Sequence, residues 1–432
     1  MKTSKYNIIF KYNNKIFVFN TISGALCEAN EDFLNLLDNI SNVESNFNER
    51  HNDLLRSAKR GGYIIEDNFD EMSLLKFEHC ADKFNTDTFL LAIAPTLSCN
   101  FSCPYCYEKF RTGFMSDDVQ DAICNQIELA AKSNQYISII WYGGEPTLAK
   151  EIIFKMSQKI IDICNKYSVK YNANIITNGY LIDDEFINQM KKSRITSVQI
   201  TLDGPREIHN LTRKLKDNSG TFDIIIQNIK NIISKGINVN IRANITKSNE
   251  SYFTLLLDTL AGYGLQMCKV LPSEIIPYEE SSNSNVLKEY LNRKEWALKV
   301  LEYRKMLYEK GFYDCAYPYN PRKKFNYCSA VNANSFVIDP YGNLYKCWTD
   351  IGNTSKSIGN ILRNKNLNAT NKLTSDYFLW SPFDHKECLE CNILPFCVGG
   401  CPKLGLRNKK PDCSYLKYNL KDVLKMLCDR IS

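Results

Sequence analysis

Two hydrophobic patterns divide the chain near residue 85. Before that point, polar and apolar residues alternate over 6–12 and 15–20, which predicts two strands with one buried face each. Asn13 and Asn14 lie between them and favour a hairpin turn. Helical spacing follows over 30–37 and 48–60, with Asn30 as the predicted N-cap, and Gly61-Gly62 precedes a further short strand.

From residue 88 onward, strand-like apolar runs alternate with amphipathic segments. The runs occupy residues 88–95, 136–141, 173–177, 197–202, 239–245 and 267–271. Helical periodicity lies between them at 119–132, 151–167, 183–192, 222–235 and 252–263, and residues 287–311 read as a helical connector. Repeated βα units predict an α/β fold with a parallel sheet, in which ligands bind at the carboxyl ends of the strands.

Composition narrows the class of protein without naming a function. The 432 residues are 44% hydrophobic and 24% charged, as in soluble globular proteins of two or three domains. The net charge of +6 is spread along the chain, so no nucleic-acid partner is expected, and no apolar run approaches the roughly 20 residues that span a bilayer. The start of the chain lacks the apolar stretch of a signal peptide, which favours a cytoplasmic location. There the 17 cysteines stay reduced and available to metals.

Three of these cysteines form a compact motif: Cys99-x3-Cys103-x2-Cys106. A zinc loop or three unrelated thiols are the alternatives, but structural zinc sites usually consist of two cysteine pairs. A cubane [4Fe–4S] cluster takes one outer ligand on each of its four irons. Three local thiolates would therefore leave one iron open to a small molecule.

The triplet resembles the cluster motif of the radical S-adenosylmethionine (SAM) enzymes. The resemblance implies that the open iron chelates SAM, and that electron transfer cleaves SAM to methionine and a 5′-deoxyadenosyl radical. It also implies a partial (β/α)6 TIM-like barrel over residues 88–286. The catalytic role is assigned to Cys99, Cys103 and Cys106.

Several motifs at the predicted strand ends resemble the SAM-binding elements of that family. One of them is Gly143-Gly144-Glu145-Pro146. Its two glycines let the backbone approach a ligand closely, and its carboxylate can pair with an ammonium group, although a simple β-to-α turn would also explain this sequence. A threonine replaces the family's serine at position 201 and keeps the hydroxyl. The SAM contacts implied are Tyr105, Gly143, Gly144, Glu145, Pro146, Thr177, Asn178, Thr201 and Arg213.

Two further residues near these motifs carry less specific signals. His209 fits the family's spacing, but a helix-cap or packing role explains it equally well. Arg242, which lies two residues before Asn244 on a predicted strand, fits the family too and is equally explained as a surface charge.

The C-terminal region contains a second cysteine array, Cys388-x2-Cys391-x5-Cys397-x3-Cys401, preceded by Cys328 and Cys347 and followed by Cys413. A zinc ribbon is the alternative. The array resembles the seven-cysteine SPASM module, which carries two auxiliary [4Fe–4S] clusters, so three clusters are expected in all. The resemblance assigns Cys328, Cys347 and Cys401 to the first auxiliary cluster, and Cys388, Cys391, Cys397 and Cys413 to the second.

This array departs from that of the sulfatase-maturating relatives. They have a fourth cysteine shortly before the position of Cys328, where this chain has Arg322, and Cys315 is the nearest upstream thiol. Either Cys315 completes the first auxiliary cluster, or one iron stays open to a substrate thiolate. Those relatives also have an aspartate where this chain has Trp348, with Asp350 two residues further on. We predict buried structural roles for the remaining thiols: Cys27, Cys80, Cys124, Cys164, Cys268 and Cys428.

The domain order resembles that of peptide-modifying radical SAM enzymes. Residues 1–85 resemble a winged-helix-like peptide-recognition domain, although a plain packing extension is the alternative. A SPASM domain is expected over 312–432, after the connector at 287–311. We therefore expect an enzyme that binds a ribosomally made precursor peptide through its leader and receives electrons from a flavodoxin or ferredoxin.

The expected reaction is removal of a hydrogen atom from a peptide carbon, followed by formation of a thioether bond to a cysteine. An auxiliary cluster near the product is expected to accept the remaining electron. The closest alternative is formylglycine formation in a sulfatase. A non-catalytic iron–sulfur electron-transfer protein is an alternative from another class, but it would not need the Gly143–Pro146 motif or the pair of Thr201 and Arg213.

Overall fold

The computed structural model describes residues 1–40, 49–108, 112–276, 289–312, 321–363, 367 and 371–431. The chain forms two compact units. The sheet unit comprises residues 85–317 and 330–378, and the terminal unit comprises residues 1–84, 318–329 and 379–432. In the part that the structure describes, no helix has the length and apolar character needed to cross a membrane.

The N-terminal part of the terminal unit contains a three-stranded antiparallel sheet in the order β2-β3-β4, and a separate pairing of β1 with β5. Asn13 and Asn14 adopt φ angles of 46° and 59° in the predicted hairpin turn. The Asn30 side chain accepts the Phe33 N–H at 2.9 Å and caps the first helix as expected. The elements are β1 (Lys2–Thr3), β2 (Asn7–Tyr12), β3 (Lys15–Asn20), β4 (Leu26–Ala29), α1 (Glu31–Asn39), α2 (Glu49–Arg60), β5 (Ile64–Ile65) and α3 (Glu71–Lys83).

The sheet unit confirms the predicted α/β class. Its strands follow the order β11-β10-β9-β8-β7-β6-β12-β13-β14, and all pairs from β6 to β11 are parallel. Their buried apolar side chains form a core, and along Lys170–Thr177 and Asn238–Ile245 these side chains alternate with partly exposed residues, most of them polar. The strands are β6 (Thr88–Ile93), β7 (Tyr136–Trp141), β8 (Lys170–Thr177), β9 (Ile195–Thr201), β10 (Asn238–Ile245), β11 (Lys269–Glu274), β12 (Ser335–Ile338), β13 (Asn343–Tyr345) and β14 (Gly359–Asn360).

Helices follow the strands of the sheet unit, and all of them overlap predicted segments except Arg206–Thr212 and Lys372–Leu379, which were not predicted. They are α4 (Asp117–Ala131), α5 (Lys150–Lys166), α6 (Asp184–Lys192), α7 (Arg206–Thr212), α8 (Phe222–Ser234), α9 (Phe253–Gly262), α10 (Arg293–Glu309) and α11 (Lys372–Leu379). The sequence pattern did not predict that β12 would pair in parallel with β6, as residues 335–338 do with residues 90–93. A C-terminal segment therefore extends the sheet at the strand that leads into Cys99.

The C-terminal part of the terminal unit contains the short helices α12 (Lys386–Leu389), α13 (Leu394–Cys397) and α14 (Pro402–Asn408), followed by the longer α15 (Leu416–Ile431). It shares an apolar core with the N-terminal part, in which Tyr6 and Leu75 pack with Phe383, Cys388 and Leu394. Hydrogen bonds reinforce this packing: Lys83 Nζ donates to the Trp380 carbonyl at 2.8 Å, and Thr21 Oγ1 to that of Asn392 at 2.6 Å. The segment predicted to recognise a leader thus shares its core with the C-terminal cysteine segment.

Candidate active site

The cluster loop, residues 99–106, follows β6 and is held by backbone hydrogen bonds from neighbouring strand ends. The N–H groups of Gly144 and Glu145 donate to the carbonyls of Thr96 and Ser98 at 3.2 and 2.8 Å. On the other side, the Ser102 N–H donates to the Lys214 carbonyl at 3.1 Å. The three cysteines therefore lie at the carboxyl ends of the parallel strands, as expected for this fold.

Gly143 and Gly144 are required by the cluster loop itself. Gly143 has φ +112°, and a Cβ atom there would lie 2.5 Å from the Thr96 carbonyl oxygen. A Cβ atom on Gly144 would lie 2.4 Å from the Ser98 carbonyl oxygen. The close approach that the sequence suggested is thus an approach of two backbones within the chain.

The thiols of the cluster loop are partly buried and unpaired by disulfides. Burial raises the pKa of the Cys99 thiol to about 12 and raises those of Cys103 and Cys106 as well, so a bound cation would be needed to hold them as thiolates. Among the described residues, no three Cys, His, Asp or Glu side chains stand close enough to hold a single metal ion. The three thiols line one cavity, and a cubane cluster binds each thiolate on a different iron, so this donor set fits the predicted cluster.

Glu145 joins the ends of β7 and β8. Its carboxylate is 1% exposed and accepts hydrogen bonds from the Thr147 N–H and hydroxyl at 3.0 and 2.6 Å, from the Thr177 hydroxyl at 2.6 Å, and from the Asn178 N–H at 2.7 Å. Burial raises the pKa of this carboxyl group, and these donors oppose the shift. Its role as a contact to the SAM amino group stays a prediction.

Asp203, Tyr105 and Arg213 form a buried chain beside the cluster loop. The Tyr105 hydroxyl donates to the Asp203 carboxylate and accepts from Arg213 Nη1, the latter at 2.7 Å. The Asn244 N–H also donates to Asp203 at 3.1 Å, and the Arg213 guanidinium lies 5.7 Å from the centroid of the Phe101 ring. The motifs assigned roles to Tyr105 and Arg213 separately, but they did not indicate that Asp203 would link these two residues.

His209 is linked to the backbone of Arg213 through the Thr221 hydroxyl. It is fully buried, and its Nε2 lies 3.1 Å from the Thr221 hydroxyl, which donates to the Arg213 carbonyl at 2.5 Å. Because the hydroxyl's only proton goes to that carbonyl, Nε2 must be the donor to Thr221. Burial lowers the pKa of His209 well below its usual value, so the ring is neutral and has a packing role.

Two cavities lie next to the cluster loop. The smaller, of about 120 Å³, is lined by its three cysteines and by every predicted SAM contact except Pro146, which begins the 3-10 helix Pro146–Ala149. The larger, of about 380 Å³, shares Tyr105, Cys106, Ile176 and Thr201 with the smaller and continues past them to Arg242 and Trp348. The two cavities give the site room for a cofactor and for part of a second molecule.

Aromatic residues form one wall of the larger cavity and were not predicted. The Tyr107 and Tyr142 hydroxyls are hydrogen-bonded to each other, and the Tyr142 ring lies edge-on to that of Trp348, with centroids 4.9 Å apart. Tyr142 also hydrogen-bonds Glu108, and burial raises the pKa of this carboxyl group to about 7. The position of Tyr107 next to Cys106 was the only signal in the sequence.

The terminal cysteine set, Cys388, Cys391, Cys397 and Cys413, lies in the terminal unit. Burial raises the pKa of the Cys388 thiol, and the other three thiols raise it further, so the four lie close together. Cys397 Sγ accepts the Ser414 N–H at 3.2 Å, and Lys417 Nζ lies 3.5 Å from Cys413 Sγ. Backbone N–H groups and cations are the partners that thiolate ligands of a cluster require, so these residues fit the predicted second auxiliary cluster.

The cysteines assigned to the first auxiliary cluster are divided between the two units. Cys401 and Cys328 are close enough in the terminal unit for Cys328 to raise the pKa of Cys401, although burial is the larger cause. Cys347 belongs to the sheet unit, and Cys315 lies outside the described residues. The prediction that all other thiols are buried is wrong for Cys80, which is exposed because it lies on the outer side of α3, and Cys27 is only partly buried.

Comparisons with known proteins agree with this site. Residues 93–260 match the model of the Radical SAM superfamily. The chain is 26% identical over 358 residues to a cysteine-type anaerobic sulfatase-maturating enzyme of Clostridium perfringens, a match that covers 74% of this chain and 90% of that protein. It is 22% identical to the radical SAM cyclopropyl synthase TigE of Paramaledivibacter caminithermalis, over 99% of this chain and 95% of that protein.

Solved structures share the fold. A structure described as native anSMEcpe with bound AdoMet and Cp18Cys peptide matches with a TM-score of 0.60 and 22% identity, over 80% of this chain and all of the other. Streptococcus suis SuiB bound to its precursor peptide SuiA matches with a TM-score of 0.51 and 16% identity, over 96% of this chain and 98% of the other.

Proposed function

Because residues 93–260 form a radical SAM domain and the chain is homologous to sulfatase-maturating and peptide-modifying radical SAM enzymes, we propose that this enzyme modifies a ribosomally synthesised peptide. The reaction is removal of a hydrogen atom from a peptide carbon by the radical formed from SAM, followed by a thioether bond between that carbon and a cysteine sulfur. The thiol proton would be released to solvent, and an auxiliary cluster would accept the remaining electron. The observation that carries the proposal is the larger cavity, which opens directly beside the three-cysteine loop and its smaller cavity.

The residues around the loop divide the work. Cys99, Cys103 and Cys106 hold a [4Fe–4S] cluster, which together with SAM supplies a carbon-centred radical when bound. Thr201 and Arg213 orient SAM in the smaller cavity, and Glu145 keeps the ends of β7 and β8 in place around it. The aromatic wall of Tyr142 and Trp348 keeps water away from the peptide carbon.

The C-terminal cysteines hold two further clusters in this proposal, the first through Cys328, Cys347 and Cys401 and the second through the terminal cysteine set. Anaerobically reconstituted protein should then contain about twelve irons, four for each cubane. A count near four after complete reconstitution would contradict the proposal of three clusters.

The N-terminal sheet is the proposed site for the leader of the precursor, because peptides commonly add as a strand to an exposed sheet edge. The edge strand β2 carries Ile9 with 46% exposure. The Ile9→Arg change should weaken binding of a fluorescent leader, measured by anisotropy. Leu129→Arg, at a similarly exposed leucine on α4, is the control. Equal affinity in both variants would place leader binding elsewhere.

The reaction itself is tested with reconstituted enzyme, SAM, a reductant and the cysteine-containing precursor peptide encoded beside its gene. The product should lose the mass of two hydrogen atoms, and one cysteine should become unreactive to alkylation. A product with that mass loss whose cysteines all still alkylate would rule out the thioether. Carbon–carbon coupling or desaturation would then be the reaction.

Sulfatase maturation is the second candidate function, favoured by the 26% identity to the Clostridium perfringens enzyme. Trp348, in place of the aspartate expected there, weighs against it. A peptide with a sulfatase maturation sequence separates the two, because formylglycine is an aldehyde that reacts with a hydrazide probe, whereas a thioether does not.

A further inference from the structure

The larger cavity contains an imbalance of charge. Arg242 and Glu274 line this cavity. Glu274, at the end of β11, forms an ion pair with Arg293 on α10. Their side chains are 17% and 18% exposed, so this pair is largely shielded from water and neutral overall. Arg242 is the cation that remains.

Arg242 has no carboxylate partner among the described residues. Its Nε donates to Asn244 Oδ1 at 2.8 Å, which is a neutral acceptor. Asp203 is near enough for Arg242 to influence its pKa, but the Asp203 carboxylate already accepts from Tyr105 and from the Asn244 N–H. The terminal nitrogens of the guanidinium therefore remain for another molecule.

Arg242 is also distinct from the arginine of the smaller cavity. Arg213 lines the smaller cavity together with the cysteines, whereas Arg242 lines only the larger one. A cation that is partly removed from water gains most from a carboxylate, which a guanidinium binds through two parallel hydrogen bonds. The chemistry of this position thus favours a negatively charged group on the second molecule.

The rest of the cavity suits the carbon part of such a group. Ile176, Ile275 and Ile276 line it together with Tyr142 and Trp348, and its volume of about 380 Å³ lies in the ordinary range of ligand pockets, about 300–1,000 Å³. Cys106 and Thr201 border both cavities, so a side chain bound to Arg242 crosses the space next to the cluster loop.

We propose that Arg242 binds the carboxylate of the residue that is modified, so that the enzyme acts on an acidic residue of its peptide. This inference rests on the proposed function and names its substrate class. An aspartate or glutamate side chain and a C-terminal carboxylate share the required chemistry, and the test distinguishes these two sources.

The probes are acetylated, amidated pentapeptides Gly-Gly-X-Gly-Gly in which X is perdeuterated Asp, Glu, Asn, Leu or Lys, and one peptide with perdeuterated Leu at a free C-terminus. Each is incubated with reconstituted holoenzyme, SAM and reductant, and deuterium in 5′-deoxyadenosine is measured by mass spectrometry. We expect the Asp or Glu peptide to transfer about tenfold more deuterium than the Asn and Leu peptides. Transfer mainly from the C-terminal Leu peptide would identify the terminal carboxylate as the group that is bound.

Variants assign any preference to Arg242. The Arg242→Gln change should bring the ratio of Asp to Asn transfer close to one, and Arg242→Lys, which keeps the charge but not the two parallel hydrogen bonds, should give a ratio between that and the wild-type value. Arg194→Gln, at the opposite end of the sheet, is the control. Because the ratio of Asp to Asn transfer is measured within one enzyme variant, it does not depend on the total turnover of that variant. If Arg242→Gln makes no product, the ratios of Asp to Asn transfer in the wild-type enzyme and in Arg242→Lys still test the inference.

The inference is overturned if wild-type enzyme transfers deuterium no better from carboxylate-bearing peptides than from the Asn peptide, or if Arg242→Gln keeps the preference. The proposed function fails in a different way: the cysteine-containing precursor would give no product with a cysteine blocked to alkylation, whatever the ratio of Asp to Asn transfer.

Discussion

The cluster loop and the terminal cysteine set place similar thiols in opposite surroundings. The cluster loop is bordered by polar side chains, including Glu145, Asp203 and Arg213, and by two cavities. In the terminal set, Cys388 belongs to an apolar core with Tyr6 and Leu75. A site that must admit and release molecules needs open space and charge, whereas a site that holds its ligand permanently is stabilised by packing. The contrast suggests chemistry at the first site and retention at the second.

The largest test of this contrast removes each set of thiols in turn. Replacing Cys99, Cys103 and Cys106 by Ala should abolish 5′-deoxyadenosine formation and remove about four irons, the content of one cubane cluster. Replacing the terminal set by Ala should also remove about four irons but leave SAM cleavage measurable. Iron analysis and chromatography of the nucleoside check both results. Equal loss of SAM cleavage would mean that the two sites do not differ in this way.

A change in the core around Cys388 should affect the terminal unit alone. The Leu75→Ala change removes a side chain that is 6% exposed and should cost about 2–5 kcal/mol of local stability. Hydrogen exchange followed by mass spectrometry should then show faster exchange in residues 71–83 and 386–397, with residues 136–177 unchanged. Leu129→Ala, at an exposed position, is the control. Faster exchange throughout the protein would contradict independent cores.

The cluster loop should be sensitive to backbone crowding instead. The Gly144→Ala change places a methyl group 2.4 Å from the Ser98 carbonyl oxygen and should cost about 1–3 kcal/mol together with a loss of bound iron. In the control, Gly262→Ala, the new methyl group has no neighbour within 4 Å and lies at the end of α9. Thermal unfolding and iron content should separate the two variants. Normal iron content in Gly144→Ala would show that the loop does not need this close approach.

The smallest effect concerns the dependence of stability on pH, because His79 in the terminal unit and His209 in the sheet unit are both buried. Burial lowers the pKa of His79 in the terminal unit and lowers that of His209 further. The unfolded chain binds protons below pH about 6.5 while the folded rings stay neutral, so stability should fall as the pH drops below that value, by at most about 1.4 kcal/mol per pH unit for each ring.

His209→Asn should remove more of this acid sensitivity than His79→Asn, because the His209 ring stays neutral to a lower pH. Urea unfolding of the protein without iron at pH 7 and pH 5 measures the difference. An unchanged difference between the two pH values in His209→Asn would contradict a neutral buried ring.

Local patterns predicted the local structure well. The run at 136–141 matches β7, Asn30 caps α1, and the hairpin turns at Asn13 and Asn14, because alternation and capping depend only on neighbouring residues. The helix α3 was not predicted. Its buried His79 and Lys83 are polar residues, which obscure the apolar face that a sequence pattern relies on.

The candidate site was predictable as a set of residues but not as a set of contacts. The motifs pointed to the three cysteines and to most of the other residues that line the smaller cavity. They did not indicate the hydrogen-bond partners of Glu145, which lie after β7 and at the end of β8. Sequence also cannot tell whether a glycine makes room for a ligand or for the chain itself, as Gly144 shows. Arg242 could be distinguished from a surface charge only once its neighbours were known.

The parallel pairing of β12 with β6 has a consequence for the synthesis of the protein. Residues 335–338 leave the ribosome long after residues 90–93, so during most of translation the strand that leads to Cys99 lacks one of its two neighbours. Long-range strand pairs of this kind form late in folding. A chain that terminates before residue 335 would therefore present the cysteines of the cluster loop on a sheet that lacks this strand.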